Sequence, residues 1–154
     1  MTQHLKIDFV SDVACPWCVI GLQRFEQALA NAAEAVEADI IFQPSELNPG
    51  IPAAGQNLVG HTVEKYGSTA VQPAASRAMI RARCAEIGFT FNMSDESRIY
   101  NTFDAYRLLL WAGIAGCQRE LKHVFSSRWD IPSTSAPCQT RTSLTRRYTR
   151  SALV

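Results

Sequence analysis

With 154 residues, 47% hydrophobic and 19% charged, and a formal net charge of +1, the chain is sized and composed as one globular domain. This excludes a disordered chain and gives no overall argument for nucleic acid or a membrane surface as partner. The charge is uneven, because residues 131–154 carry Arg141, Arg146, Arg147 and Arg150 and no acid, which leaves the first 130 residues at net −3.

Residues 4–10 read as a strand, with Ile7, Phe9 and Val10 suited to a sheet and Asp8 as the exception. Ser11 to Ala14 form a loop, and Pro16 fits the first turn of a helix, where its missing N–H costs nothing. Ile20, Leu22, Phe25, Leu29 and Ala32 then give a helical stripe to about Asn31. The Ala-rich stretch from Ala32 to Ala38 either extends that helix or loops back. Ile40-Ile41-Phe42 is a second strand of buried type, and Pro44 ends it. Strand, helix and strand make a βαβ unit, which places the two strands parallel. Residues 48–60 are rich in Pro and Gly and read as loop. A short helix is expected over His61–Tyr66, and a longer one opens at Pro73, with Ala74, Ala75, Met79, Ile80, Arg83 and Ile87 in its pattern and Gly88 as C-cap. Ser94-Asp95 is expected to start another helix through Ile99, Phe103, Tyr106, Leu109 and Leu110 to about Gly116, and Gln118–Phe125 a further one. From 126 onward the character changes: residues 126–154 hold eleven Ser or Thr and no apolar periodicity.

The chemistry concentrates in Cys15-Pro16-Trp17-Cys18, between the first strand and the first helix. The thiolate, not the thiol, attacks a disulfide, and a free cysteine with a pKa of about 8.5 is mostly protonated at neutral pH. A cysteine at a helix N-terminus meets unsatisfied N–H groups and the positive end of the helix dipole, which lower its pKa. Cys15 is placed there as the attacking sulfur. Cys18, one turn in and on the same side, is placed to resolve a mixed disulfide. Pro16 stiffens the turn, Trp17 offers an apolar face, and both tune the redox poise. The competing readings are half of a zinc site, which needs a second Cys/His pair, and a chance pair of cysteines. Neither His4, His61, Cys84, Cys117, His123 nor Cys138 forms such a second close pair. Five cysteines is an odd number, so at least one stays unpaired within a monomer. The start Met1-Thr2-Gln3-His4-Leu5-Lys6 has no secretory pattern and no apolar run spans a bilayer, so a cytoplasmic location is expected. There a Cys-x-x-Cys is more often catalytic or metal-binding than structural.

Other residues read more plainly. Cys84 and Cys117 are taken as buried small hydrophobes, and Trp111 with the Leu108–Leu110 run as core. His61 either approaches the thiols or simply starts a surface helix. Arg77, Arg81, Arg83, Arg98 and Arg107 offer a patch for an acidic ligand, against the simpler reading of solvated helix faces.

Asp8-Phe9-Val10-Ser11-Asp12, the Cys15–Cys18 motif and Gly21, followed by Phe42-Gln43-Pro44-Ser45-Glu46-Leu47-Asn48-Pro49 and Asn101-Thr102-Phe103-Asp104-Ala105-Tyr106-Arg107, resemble the DsbA-like thioredoxin family. They are most similar to its cytosolic branch, with 2-hydroxychromene-2-carboxylate isomerases and kappa-class glutathione transferases. The resemblance covers roughly residues 5–123. It implies an α/β fold in which a thioredoxin-like βαβ half (1–48) is followed by a loop and an all-helical insertion (49–125). It further implies a thiol–disulfide oxidoreductase or disulfide isomerase acting on protein or small-molecule thiols and disulfides. No bound cofactor is implied, though glutathione is an open co-substrate and a homodimer an open assembly. Isomerase and transferase members typically carry serine at the motif, so two cysteines favour dithiol exchange. Neither nucleic acid nor membrane is an expected partner.

In such proteins a ββα half follows the insertion and brings a cis-proline loop against the reactive cysteine. Nothing after Val124 matches it, since Pro132 and Pro137 lie in Ser/Thr-rich sequence without a following strand. A frameshift shortly after Val124, or a truncation, is therefore expected, against the alternative of a natural basic tail; either way 126–154 reads as a basic, irregular tail. Back-translation of Pro137–Arg147 in another frame permits a helix N-cap and an amphipathic start. An inactive remnant of the fold, with low stability or a tendency to associate, is the alternative to an active enzyme.

Overall fold

A computed structural model describes residues 2–67 and 71–127 of the chain. Its organising unit is β1 (Gln3–Ser11), α1 (Pro16–Asn31) and β2 (Val36–Pro44). The strands pair in parallel, Ile7 opposite Ile40 and Phe9 opposite Phe42. Side chains alternate across a strand, so Ile7, Phe9 and Ser11 share the face that α1 covers. The Phe9 ring stacks on Phe25 of α1 at 6.1 Å and meets Phe42 edge-on at 5.9 Å. Asp8 is on the opposite, open face, where it accepts a hydrogen bond from Gln43 Nε2 at 2.8 Å. Val10 and Ile41 are exposed on that face.

The Ala-rich stretch neither extends α1 nor remains a loop throughout. Ala32–Ala35 turn, with Val36 N–H donating to Ala32 O at 2.9 Å, and β2 begins at Val36. β2 is therefore longer than the expected apolar triplet, because pairing with β1 extends it beyond the residues that propensity favours.

The insertion comprises β3 (Gln56–Asn57), α2 (Leu58–Tyr66), α3 (Val71–Ala85), β4 (Arg98–Ile99), α4 (Phe103–Ile114) and α5 (Gln118–Ser127). It is helical apart from the two-residue antiparallel ladder of β3 and β4. The helix expected from Ser94 does not form there. Ser97 Oγ accepts from Ser94 N–H at 3.0 Å, and Leu58 N–H takes Ser97 O at 2.8 Å. These local bonds offer the backbone an alternative to the helical ladder, and α4 starts only at Phe103, whose N–H donates to Asn101 Oδ1 at 2.9 Å. Within α4, Tyr106, Leu109 and Ala112 are buried while Leu108 and Leu110 are exposed, so the expected core run is a single stripe. Likewise α3 turns Ile80 and Cys84 inward and leaves Met79 exposed.

Two apolar clusters hold the helices. Ile80, Cys84 and Phe91 pack on Ile20 of α1. Tyr106, Leu109 and Ala112 of α4 pack on Leu121 of α5, with Val13, Cys117 and Phe125 around them. The side-chain amide of Gln118 docks α5 onto β2, accepting from Phe42 N–H at 2.9 Å and donating to Phe42 O at 3.0 Å. Among the described residues the main sheet has the order β1–β2, and no helix is long and apolar enough to cross a membrane. Pro132, Pro137, Cys138 and nearly all of the expected tail lie outside the described residues; Ser126 and Ser127 close α5.

Candidate active site

The Cys-x-x-Cys motif lies where the backbone changes from β1 to α1. Cys15 is the N-cap, with extended dihedrals (φ −101°, ψ 114°), and Pro16 follows at the first helical position. The Cys15 carbonyl accepts from Cys18 N–H at 3.1 Å and Val19 N–H at 3.3 Å, which closes the first turn and brings the second sulfur back over the first. The first turn holds no acid that would oppose a thiolate. Both cysteines are half-buried thiols, and Trp17 between them is 45% exposed, so its ring forms part of the surface beside the sulfurs.

Beneath the motif is a buried polar floor. Asp12 is 2% exposed; its Oδ1 accepts from Ala14 N–H at 2.8 Å and its Oδ2 from Leu47 N–H at 2.7 Å. One carboxylate thus ties the motif loop to the segment leaving β2. The Tyr106 hydroxyl accepts from Val13 N–H at 3.2 Å and faces the carbonyls of Ser45 at 2.9 Å and Ser11 at 3.3 Å. Lys122, 3% exposed, donates from Nζ to Ser11 Oγ at 2.8 Å. Burial, followed by the charge of Asp12, raises the Tyr106 phenol, which therefore stays neutral as a hydrogen-bonding strut. Burial lowers the Lys122 ammonium, while Cys18, Asp12 and Cys15 act to keep its proton on.

The two thiols share one proton. Cys18 is drawn down to about 6, first by the hydrogen bond from the Cys15 thiol, against its burial, and further by the Asp12 N–H and the charge of Lys122. Cys15 is raised, first by that same bond to Cys18 and then by burial, although the N–H groups of Cys18 and Trp17 favour its thiolate. The first proton leaves easily and the second with difficulty. The lowered thiol of the resting pair is Cys18, whereas helix position alone pointed to Cys15. The difference comes first from the hydrogen bond between the two sulfurs, which Cys18 accepts; the Asp12 N–H and the charge of Lys122 add to it, against burial and the charge of Asp12.

The remaining sequence candidates are elsewhere or otherwise engaged. His61 sits in α2 with its ring nitrogens against Gln56 Oε1 at 3.1 Å and Asn48 Oδ1 at 3.0 Å. The arginines do not form one patch: Arg77 pairs with Asp95, Arg81 donates to Met93 O, Arg83 pairs with Glu86, Arg98 donates to Gly55 O, and Arg107 pairs with Asp104. Cys84 is 1% exposed in the α1–α3 cluster, and Cys117 is half-buried beside the α4–α5 cluster. Among the described residues no three His, Cys, Asp or Glu side chains form a group that could hold a metal ion. Sequence reasoning passed over Lys122 altogether, and took Asp12 and Tyr106 only as parts of a resemblance. A signal for Lys122 does exist, since it falls beside Leu121 on the inward face of α5.

Known proteins agree with this architecture. The model of the DSBA-like thioredoxin domain matches residues 6–141, and the chain belongs to that family. The match extends past residues 5–123, the span of the resemblance in sequence. A crystal structure of a probable DsbA oxidoreductase from Streptomyces coelicolor is 31% identical and superposes with a TM-score of 0.72, covering 80% of this chain and 53% of that one. An uncharacterized protein of Bacillus subtilis, YwbO, is 31% identical over 78 residues, which is 50% of this chain and 36% of YwbO. The chain thus spans about half of the solved relative, and its α/β fold is that of a DsbA-like thioredoxin domain, whose family chemistry is oxidoreduction.

Proposed function

We propose that the chain is a thiol–disulfide oxidoreductase acting through Cys15 and Cys18. The observation that carries this reading is the placement of two free, half-buried thiols one turn apart at the start of α1, Cys15 as its N-cap and Cys18 folded back by its N–H to the Cys15 carbonyl at 3.1 Å. Cys15 is the attacking sulfur. Moving the shared proton along the S–H···S contact to Cys18 puts the thiolate on Cys15, where the N–H groups of Trp17 and Cys18 stabilise it. That thiolate attacks one sulfur of a client disulfide; the client S–S bond breaks, a mixed disulfide forms, and the client's other sulfur leaves as a thiolate and takes up a proton. Cys18, deprotonated, then attacks Cys15 in the mixed disulfide. The second client thiol departs, the Cys15–Cys18 disulfide forms, and the client has gained two electrons. The same steps reversed oxidise a client dithiol. Pro16 and Trp17 tune the pair, and Trp17 presents an apolar surface to the client. Protein or small-molecule thiols and disulfides are the partners. The redox group is the dithiol itself, with glutathione a co-substrate, in the cytoplasm.

Reduction of insulin and oxidation of a dithiol peptide test the reading. Cys15→Ser is expected to abolish both, and Cys18→Ser to accumulate a mixed disulfide on Cys15. Full activity in Cys15→Ser, or a mixed disulfide trapped on Cys18 in that variant, would overturn the assignment.

A further inference from the structure

Lys122 is a buried charge that the exchange steps leave without a role. It projects from α5 beneath the motif loop, and its Nζ donates to a neutral hydroxyl, Ser11 Oγ, at 2.8 Å. The Phe42 ring of β2 lies 5.9 Å from Nζ. Among the described residues no carboxylate oxygen comes within 4.0 Å of it. Taking an ammonium out of water with so little compensation is unfavourable, so a position of this kind needs a reason.

The groups around it supply one. Ser11, which Lys122 holds, leads straight into the loop of Asp12 and the motif at the start of α1, and the charges of Cys18, Asp12 and Cys15 all act to hold the Lys122 proton. Asp12 is engaged elsewhere, since both of its oxygens accept backbone N–H groups. Tyr106, from α4, contributes a neutral hydroxyl directed at the backbone of the two loops. The other charges of the α1–α5 seam are satisfied among themselves, Glu26 pairing with Arg119 at 2.9 Å and with His123 at 3.1 Å. Among the described residues the sulfurs are then the only site near Lys122 where a negative charge can appear and disappear during exchange.

We propose that Lys122 is the counter-charge of the Cys15–Cys18 thiolate, a positioning residue that sets how readily the pair ionises and how oxidising its disulfide is. The inference deepens the exchange reading and rests on it. On reduction the neutral disulfide takes two electrons and one proton and becomes a thiol and a thiolate. Two glutathione thiols supply the electrons and become glutathione disulfide, releasing two protons, one to the protein thiol and the other to solvent. A fixed positive charge favours the side that carries the thiolate, so Lys122 makes the disulfide a stronger oxidant.

Iodoacetamide alkylation of the reduced protein against pH, together with the equilibrium of each variant with glutathione at pH 7, tests this. Lys122→Met is expected to move the alkylation midpoint up by about one unit, lowering alkylation near pH 6 roughly fivefold and leaving it unchanged near pH 10. The glutathione equilibrium is expected to shift toward the protein disulfide. Lys122→Arg, which keeps the charge, should stay near wild type. Should Lys122→Met not fold, Lys122→Gln removes the charge while keeping a donor for Ser11. A folded Met or Gln variant with the wild-type midpoint overturns the proposal, and so does an equal shift in the Arg and neutral variants, which would mark a packing effect. Alkylation needs no turnover. A chain inactive on insulin with a Lys122-dependent midpoint therefore sinks the oxidoreductase reading alone, and an active chain with a Lys122-independent midpoint sinks the counter-charge alone.

Discussion

The two helical clusters of the insertion make different bargains with the βαβ unit. On one side of α1, Ile80, Cys84 and Phe91 pack on Ile20 with no buried charge among them. On the other, α4 and α5 combine an apolar layer of Leu109, Ala112 and Leu121 with the polar floor of Tyr106 and Lys122. The first arrangement is what burial alone selects, because apolar contacts stabilise without direction. The second holds hydrogen-bonded and charged groups that contribute less per residue and cost more when misplaced. They are concentrated under the two sulfurs. The α3 side therefore serves stability, and the α4–α5 side also sets the electrical environment of the thiols.

Substitutions can separate these two roles. The largest effects on folding are expected from Ile80→Ala and Leu109→Ala, each removing a buried aliphatic group at about 2–5 kcal/mol in urea unfolding. Ile80→Ala should leave the thiol titration at its wild-type midpoint; a shifted midpoint would show that the α3 side also reaches the sulfurs. Tyr106→Phe strands the Val13 N–H and is expected to cost about 1–3 kcal/mol while moving the alkylation midpoint toward the ordinary thiol value. A lost stability with no movement of the midpoint would assign Tyr106 to packing alone. Gln118→Leu leaves both Phe42 backbone groups without their side-chain partner and is expected to cost about 1–3 kcal/mol, with no direct effect on the sulfurs.

The reduced form adds a pH dependence. Its lowered thiol ionises at about 6 in the fold, against 9.0 for an unperturbed one. The thiolate thus stabilises the reduced fold fully above pH 9, and that contribution disappears as pH falls through about 6. Cys15, raised, stays protonated over this window and adds nothing. Urea unfolding of the reduced protein at pH 5 and pH 8 should show this loss relative to the Cys15→Ser/Cys18→Ser variant, whose curve lacks it. Parallel curves for the two proteins would mean that the thiol is not lowered.

Much of the fold can be read from local pattern. The alternation in Lys6–Val10, Pro16 at a helix start and the stripe from Ile20 to Leu29 are short-range signals, and they give β1 and α1 nearly to the residue. The motif is equally local: Cys15 and Cys18 are one turn apart because a helix has 3.6 residues per turn. Where sequence reading went astray, a long-range partner intervened. β2 starts at Val36 because β1 pairs with it there, and residues 94–99 leave the helix because Leu58 N–H and the β3 strand claim their backbone. Leu108 and Leu110 face solvent because one stripe of α4 is enough to meet α5.

By itself, then, the sequence determined the two sulfurs, their spacing and the strand–helix junction that carries them, since each depends on contacts within a few residues. Tertiary structure decided which charges act on those sulfurs. Lys122 is 104 positions from Cys18 in the chain and reaches the site only because Gln118 and the Leu109–Leu121 contact seat α5 against β2 and α4. Coulomb interactions depend on separation in space and on the exclusion of water, neither of which is written in the spacing of residues along a chain.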